Sequence, residues 1–220
     1  MTDRKARRAV FFAIRYADDF VVLVSGTREQ AEQEKAALAE YLRETMRLEL
    51  SIEKTRIVDL TEGFQFLSHR VRYKWHPKFG YMPRIEIPNS KRADLRYLVK
   101  QQTGRSTIER SLSHLLQKLN PILRGWGNYY RFCTGAGRQF TALDFYVGDR
   151  IWRWLMKKHG PLHRKRTRLA RLPSLLRPTR KLWREGNVEQ FLLSTLGVER
   201  FRRGWMRTPA YISVPGEPDA

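Results

Sequence analysis

The first quarter of the chain spaces its apolar residues first as in strands and then as in a helix. Two short runs, residues 9–14 and 20–24, are rich in β-branched and aromatic side chains, which predicts two strands joined as a hairpin. Thr27 then opens a capping box with Gln30, and apolar residues recur at helical spacing as far as Met46. This segment predicts an amphipathic helix that packs across the sheet.

The hydrophobic period changes at residues 88–90 from strand-like to helix-like. Before this boundary the pattern predicts further short strands over residues 48–51, 56–60, 64–67, 71–75 and 82–87. After it the pattern predicts helices over residues 90–102, 106–119, 122–132, 138–159 and 188–196, with a disordered tail beyond Pro215. The predicted fold class is α+β, with a strand-rich part at 1–88, a mainly α-helical part at 89–160 and a basic tract, short helix and tail at 161–220.

The charge of the chain is strongly basic and regional. Lys and Arg number 43 against 22 Asp and Glu, a formal net charge of +21. Residues 91–184 hold 23 of the basic residues and four of the acidic ones, so this region carries +19. So many positive charges repel one another unless a polyanion neutralises them. The basic region is therefore interpreted as a nucleic-acid-binding surface rather than as an ordinary solvated face.

Other features of the composition exclude some classes of protein and of binding site. The single cysteine, Cys133, excludes an internal disulfide and a Cys-rich zinc site, and we expect it to be a buried small hydrophobe. The five histidines show no ligand spacing. The apolar run at residues 9–14 is too short for a signal peptide, and no segment approaches the roughly 20 apolar residues of a membrane span. We therefore expect an intracellular, cytoplasmic protein.

Two adjacent carboxylates, Asp18 and Asp19, stand at or beside the predicted hairpin turn. Asp is common in turns because its side chain bonds to local backbone, so a solvated hairpin tip is the simplest interpretation. However, neighbouring carboxylates repel each other and resist desolvation, and a divalent cation removes that penalty. Mg²⁺ prefers one or two protein carboxylates together with substrate phosphates, which this turn can offer.

The sequence around this turn resembles a known catalytic motif. Tyr16-Ala17-Asp18-Asp19, within Phe-x-x-Arg-Tyr-Ala-Asp-Asp-Phe-Val-Val, is similar to the palm active-site motif of reverse transcriptases in the form used by group II intron-encoded proteins. Residues 48–57 and 63–67 resemble the next two blocks of that family, which usually has Gly where this chain has Ser68. The resemblance implies that residues 1–88 are the C-terminal part of a palm subdomain, with antiparallel strands and one packed helix.

The helical region extends the resemblance. Residues 119–130, with 143–154 and the basic end at 157–159, resemble the maturase-specific thumb region of the same family, whose helices grip template and primer and help bind intron RNA. The alternative is that Trp126, Tyr129 and Tyr130 fill the helix interface, and we expect some of them to do so. The nucleic-acid-binding candidates are Lys54, Arg124, Trp126, Tyr129, Tyr130, Arg131, Lys157, Lys158 and, in the basic tract, Arg164, Lys165 and Arg166.

The resemblance implies the C-terminal part of an RNA-directed DNA polymerase of a mobile group II intron, with maturase-type binding of intron RNA. Asp18 and Asp19 would be catalytic residues and ligands of Mg²⁺, and Tyr16 and Ala17 would line the pocket for nucleotide and primer. A two-metal site needs a further upstream carboxylate. Because 17 residues precede Asp18, we expect that carboxylate and the fingers to be missing from the chain. The implied partners are intron RNA, a template-primer hybrid and a separate polypeptide carrying the missing half.

Three alternatives remain open at this point. The chain could be a non-catalytic RNA-binding maturase that assists intron splicing with its helical region alone, or an inactive fragment of the enzyme. A generic basic DNA-binding protein is a weaker alternative, because the palm-like motifs occur in the order that the family has.

Overall fold

The computed structural model describes residues 9–51, 53–78, 80–160, 170–176 and 179–198. Within those ranges the chain divides into two compact units. The first unit comprises residues 9–66 and 71–82, and the second comprises residues 67–70 and 83–198. The fold is α+β, as predicted. No helix among the described residues combines the length and the apolar character that crossing a membrane requires.

The first unit begins with the predicted hairpin. Strands β1 (Val10–Tyr16) and β2 (Asp19–Ser25) are antiparallel, and Tyr16 pairs with Asp19. Ala17 and Asp18 therefore form a two-residue turn. Ala17 has φ of +49°, in the left-handed region that such tight hairpin turns require and that a Cβ atom disfavours.

Helix α1 (Arg28–Met46) follows the hairpin and begins at the predicted capping box. Gln30 donates its backbone N–H to the Thr27 hydroxyl, and the Gln30 side chain accepts from the Thr27 backbone N–H. Arg47 ends the helix in a left-handed conformation and donates its N–H to the Leu42 carbonyl. No residue of this helix is buried.

A three-stranded sheet has the order β3 (Phe64–Phe66), β4 (His69–His76) and β5 (Gly80–Glu86). The predicted strands at 48–51 and 56–60 are wrong. The Thr55 carbonyl accepts from the Lys35 ammonium at 2.9 Å, and the Leu60 carbonyl accepts from the Tyr73 N–H of β4 at 2.6 Å, but the described residues of these segments form no strand ladder. Ser68, at φ of +58°, lies in the turn between β3 and β4, a position where glycine is unstrained.

The described part of the second unit contains the helices α2 (Asn89–Gln102), α3 (Leu112–Tyr130) and α4 (Ala136–His159). The predicted break at Asn120-Pro121 is wrong, because α3 runs through Pro121. A buried stripe continues past the proline at helical spacing, from Leu112 to Tyr130, and Pro121 itself is exposed. The packing of this stripe outweighs the one backbone bond that proline removes.

A small sheet packs against these helices and belongs to the same core. Its strands are β6 (Arg171–Pro173), β7 (Lys181–Glu185) and β8 (Val188–Glu189), in that order. A single 3-10 turn, Leu193–Thr195, follows where we predicted a helix over 188–196. Leu193 is fully buried and Trp183 nearly so. The described residues after 160 therefore contribute to the core.

All the buried residues of the described structure lie at or after Ile87. Phe140, Trp154 and leucines of α3 and α4 form the centre of this core, and Cys133 is buried among them, as predicted. Burial raises the pKa of the Cys133 thiol to about 12, so the thiol stays protonated at neutral pH.

Candidate nucleic-acid interface and carboxylate turn

The carboxylate turn at the end of the β1-β2 hairpin is open to solvent. Asp18 is the second turn residue, Asp19 is the first residue of β2, and both side chains are exposed. Arg15 donates its Nε to the Ala17 carbonyl at 2.9 Å, which ties the strand to the turn. Two adjacent, hydrated carboxylates can supply one or two ligands to a Mg²⁺ ion that keeps its other waters. No group of three His, Cys, Asp or Glu residues within the described ranges is arranged to hold a metal.

Tyr16 and Ala17, the candidate pocket residues, lie on the same turn. The Tyr16 side chain is 64% exposed, and its ring is free to contact another molecule at this end of the hairpin. Ala17 presents only a methyl group. The turn therefore displays two carboxylates beside one aromatic ring.

Tyr130 and Trp126 pack in the core of the second unit. Tyr130 is 4% exposed, and its hydroxyl donates to the Ser68 carbonyl at 3.3 Å. Burial raises the Tyr130 pKa to about 12, so the hydroxyl remains a donor. Trp126 is half-buried, with its ring centroid 4.7 Å from that of Tyr130 and 6.0 Å from that of Phe140. These two residues fit the interface-packing alternative.

Tyr129, Arg124 and Arg131 are more accessible. The Tyr129 ring is 49% exposed, its hydroxyl donates to the Leu67 carbonyl at 2.6 Å, and its centroid lies 4.9 Å from the ring of His69. Arg124 is exposed, with its guanidinium carbon 4.9 Å from the Phe191 ring centroid. Arg131 is half-buried over Phe132. Of the predicted aromatic contacts, Tyr129 alone offers an accessible ring edge and a fixed orientation.

Two adjacent lysines at the end of α4 have different surroundings. Lys157 is exposed. Lys158 is half-buried, and its ammonium donates to the carbonyls of Ile108 and Arg110 at 2.8 Å and of Glu109 at 3.4 Å. An ammonium has three donors, so these carbonyls use all of them. Lys158 therefore anchors residues 108–110 to α4, whereas Lys157 is available to a phosphate.

Replacing Lys158 with Met should lower the free energy of unfolding by about 2 kcal/mol or more, because charged hydrogen bonds to three carbonyls are lost. The aliphatic part of the side chain is retained, so the change isolates the ammonium. Urea unfolding followed by circular dichroism measures the effect.

Lys157→Met is the matched control, with an expected change within about 0.5 kcal/mol because the side chain is exposed. Equal effects for the two variants would show that the carbonyl contacts of Lys158 do not stabilise the unit.

The remaining basic candidates lie elsewhere. Lys54 is exposed in a turn of the first unit. Arg164, Lys165 and Arg166 lie outside the described residues.

The sequence did not single out several residues that organise the second unit. Asn120 joins α3 to the end of β8 and to the segment after it. Its amide donates to the Glu189 carbonyl at 2.8 Å, and its oxygen accepts from the Phe191 N–H at 2.9 Å. Asp144 accepts from the N–H groups of Leu193 and Ser194. Arg150 donates to the end of α2 at Thr103 and Lys100. In the sequence, these three residues could have been recognised as polar residues beside the apolar face of an amphipathic helix, where a side chain is half-buried and needs a hydrogen-bond partner.

An aromatic group on β4 and β5 in the first unit was also missed. Tyr73 and Tyr81 stack with ring centroids 6.2 Å apart, and Trp75 meets Tyr81 edge-on at 5.4 Å. All three side chains are more than a third exposed. The alternation of Tyr73 and Trp75 along the strand was the signal, since alternate residues share one face.

Comparison with known families identifies the helical region. The model of the "Group II intron, maturase-specific domain" matches residues 93–172. Residues 93–172 are therefore similar to a maturase-specific domain. The resemblance to group II intron maturases that the sequence indicated is confirmed. The domain begins inside α2, contains α3 and α4 entire, and reaches β6.

Three curated relatives are similar to parts of the chain. The protein YkfC of Escherichia coli K12 is 38% identical over 78 residues, which cover 35% of this chain and 20% of the relative. An uncharacterised 91 kDa protein in the cob intron of Schizosaccharomyces pombe is 30% identical over 162 residues, covering 66% of this chain and 20% of the relative. The group II intron-encoded protein LtrA of Lactococcus lactis subsp. cremoris is 34% identical over 61 residues, covering 28% and 10%. The chain spans a fifth or less of these relatives.

Proposed function

We propose that this chain is the C-terminal palm, thumb and maturase portion of a group II intron reverse transcriptase, and that it binds intron RNA through its maturase-specific domain. The observation that carries the proposal is the match of that domain to residues 93–172, which include the core-forming helices α3 and α4. The net charge of +19 over residues 91–184 supports a polyanionic partner.

The distribution of cations over the domain supports RNA binding on the outer sides of α3 and α4. Arg150 and Lys158 donate to backbone groups inside the unit. By contrast, Lys118, Arg124 and Lys157 are exposed on the helices. Exposed cations spaced along helices suit phosphate contacts, which position a protein on nucleic acid without reading its sequence.

We propose further that the hairpin turn takes part in RNA-directed DNA synthesis from a primer on an RNA template. Asp18 and Asp19 would hold Mg²⁺, with a further carboxylate supplied by another polypeptide segment. Mg²⁺ held there would supply activation of the primer hydroxyl and stabilisation of the pyrophosphate leaving group. Tyr16 and Ala17 would border the primer end.

The surface of the hairpin supports a polypeptide partner for the first unit. Five large apolar side chains of β1 and β2 are each more than a third exposed: Val10, Phe11, Phe12, Ile14 and Phe20. By the strand register, Val10, Phe12 and Ile14 share one face of the hairpin, and Phe11 and Phe20 share the other. Exposed apolar side chains on both faces of a hairpin favour a protein interface. The proposed occupant is the upstream half of the palm, on the same or a separate polypeptide.

A second candidate function is RNA binding without catalysis, as a maturase that assists splicing. One observation favours it: the buried core of the described structure lies wholly in the second unit, from Ile87 onward. That unit contains the maturase-specific domain, so it can bind RNA without a contribution from the hairpin.

Primer extension on an RNA template in Mg²⁺ separates these two functions. We expect no extension by the chain alone, because two carboxylates without a third and without a nucleotide-binding part cannot fix both metal ions and the triphosphate. We expect extension when the upstream palm and fingers of a group II intron reverse transcriptase are added, and none when Asp18→Asn replaces the wild-type chain in that mixture.

The outcomes are distinct. Extension that survives Asp18→Asn would contradict the catalytic role of the turn. Absence of extension in every mixture, with RNA binding retained, would leave the non-catalytic maturase as the function.

A further inference from the structure

Strands β4 and β5 carry three aromatic side chains that we call the aromatic platform. Tyr73 is 38% exposed, Trp75 is 58% exposed and Tyr81 is 57% exposed. None of the described residues between 71 and 82 is buried, so no core lies behind these rings in this part of the first unit. Large aromatic side chains gain much from losing contact with water, which suits the platform to contact with another molecule.

The rings of the aromatic platform hold one another in a fixed arrangement. The planes of Tyr73 and Tyr81 are 6° apart, with ring centroids separated by 6.2 Å. Trp75 meets Tyr81 at 70°, with ring centroids 5.4 Å apart. The Trp75 ring also passes over Gly80, where a Cβ atom would lie 3.7 Å from Trp75 Cζ3. Side chains that are already ordered lose little conformational freedom when a ligand binds, and this favours affinity.

Part of the aromatic platform also stabilises the sheet to which it belongs. Aromatic pairs across neighbouring strands favour strand pairing, and the contact between Tyr73 and Tyr81 is such a pair. This role does not require the third ring. Trp75 contacts Tyr81 at an edge, and more than half of its surface stays in water. Strand pairing therefore accounts for two of the rings and leaves the Trp75 indole available to a ligand.

The aromatic platform lies among cations. Residues 71–82 include Arg72, Lys74 and Lys78 and no carboxylate. This excess is local, because all the residues outside 91–184 together carry a net charge of only +2. The potential of a charge extends about 8 Å at physiological ionic strength, so these cations attract an anion to either face of β4.

We propose that the aromatic platform binds unpaired bases of an RNA strand, which stack on Trp75 and Tyr81 while the neighbouring cations attract the phosphates. The site lies in the first unit, apart from the maturase-specific domain, and rests on the proposed function only for RNA as the source of the bases. In a duplex the bases cover one another, whereas a single strand can lay its bases on aromatic side chains. Every base has a π face, so the platform accepts any base.

The charge of the platform's surroundings selects nucleic acid over a peptide. Proline-rich peptides also dock against exposed aromatic side chains. A neutral peptide of that kind would leave the three cations of residues 71–82 without a counter-charge. A nucleic-acid strand supplies both a π face for the rings and a phosphate for the cations.

The test uses the full chain and an RNA strand of about eight 5-bromouridines, a base that forms a covalent bond with an adjacent aromatic side chain under ultraviolet light. After digestion with trypsin, mass spectrometry measures the yield on the peptide of residues 75–78, which contains Trp75. Titrating the RNA against this yield gives the affinity of the platform separately from RNA bound elsewhere on the chain. We expect a saturable crosslink at Trp75.

Two substitutions of Tyr81 separate stacking from packing. Tyr81→Leu keeps a large apolar side chain but removes the π face, and it should weaken binding at this peptide by about fivefold or more. Tyr81→Phe keeps the ring and should bind within about twofold of the wild type. Thermal unfolding followed by circular dichroism accompanies each variant.

Tyr41→Leu is the matched control. Tyr41 is 54% exposed, also lies in the first unit, and belongs to α1, which holds five carboxylates and three cations. We expect unchanged binding at the peptide of residues 75–78. A second control is a competitor strand of equal length without bases, which carries the same phosphates and should displace the RNA at least about fivefold less effectively than the strand with bases.

The outcomes distinguish this inference from the proposed function. Binding of a group II intron RNA without a crosslink at Trp75, or equal binding by Tyr81→Leu and Tyr81→Phe, would overturn this inference alone. Equal competition by the strand without bases would show phosphate contact without stacking, which also overturns it. A crosslink to single-stranded DNA but none to RNA, or displacement of the RNA by a neutral proline-rich peptide at equal concentration, would assign the platform to another partner. A crosslink with the expected variant effects, in a chain that binds no group II intron RNA, would support the platform and overturn the proposed function.

Discussion

Raising the salt concentration from about 50 to 200 mM should weaken binding of structured RNA by about three to five orders of magnitude, if six to ten phosphates are contacted. The physical reason is counterion release, since each neutralised phosphate returns a bound cation to the solvent. The +19 charge of residues 91–184 supplies more than enough basic residues for this number of contacts. Filter binding across a salt series gives the slope.

A matched pair of variants assigns part of that slope to α3. Replacing both exposed cations, Lys118 and Arg124, with Gln should reduce the slope of log affinity against log salt by about one for each lost phosphate contact. Lys158→Gln should leave the slope unchanged in the fraction that folds, because its ammonium already donates to three carbonyls. Affinity that is independent of salt would contradict the electrostatic account.

Leu193→Ala should destabilise the second unit by about 2 to 5 kcal/mol, as expected for a large apolar side chain removed from a packed site. Leu193 is fully buried, and its backbone N–H donates to the Asp144 carboxylate at 2.8 Å. The loss should therefore be felt by α3 and α4 together. Urea unfolding monitored by tryptophan fluorescence measures it.

Leu176→Ala serves as the control, since this side chain is 87% exposed and its loss should change stability by no more than about 0.5 kcal/mol. A negligible effect of Leu193→Ala would contradict the assignment of residues 170–198 to the core.

Local signals in the sequence predicted the elements that depend on local chemistry. The β-branched runs gave the hairpin, and the Thr27 and Gln30 pair gave the start of α1. Pro121 misled the prediction because a proline on an exposed position removes one bond while the buried stripe on the other side keeps the helix intact. That balance depends on tertiary packing, which the local pattern does not contain.

The same distinction applies to the candidate site. The adjacency of Asp18 and Asp19 at a turn follows from the sequence, and so does the basic character of the helical region. The separate roles of Lys157 and Lys158 do not, because they depend on which carbonyls approach the end of α4. Likewise, Tyr129 and Tyr130 are neighbours in sequence, and the helix places one at the surface and the other in the core.

Crosslinking the full chain to RNA in cells of the organism that encodes it, followed by sequencing of the bound RNA, tests the central claim most directly. The claim is that the maturase-specific domain at residues 93–172 binds group II intron RNA. We predict strong enrichment of one group II intron over abundant structured RNAs of similar length, and its reduction by the Lys118 and Arg124 double variant. Recovery of RNA in proportion to abundance, with no group II intron enriched, would contradict the claim.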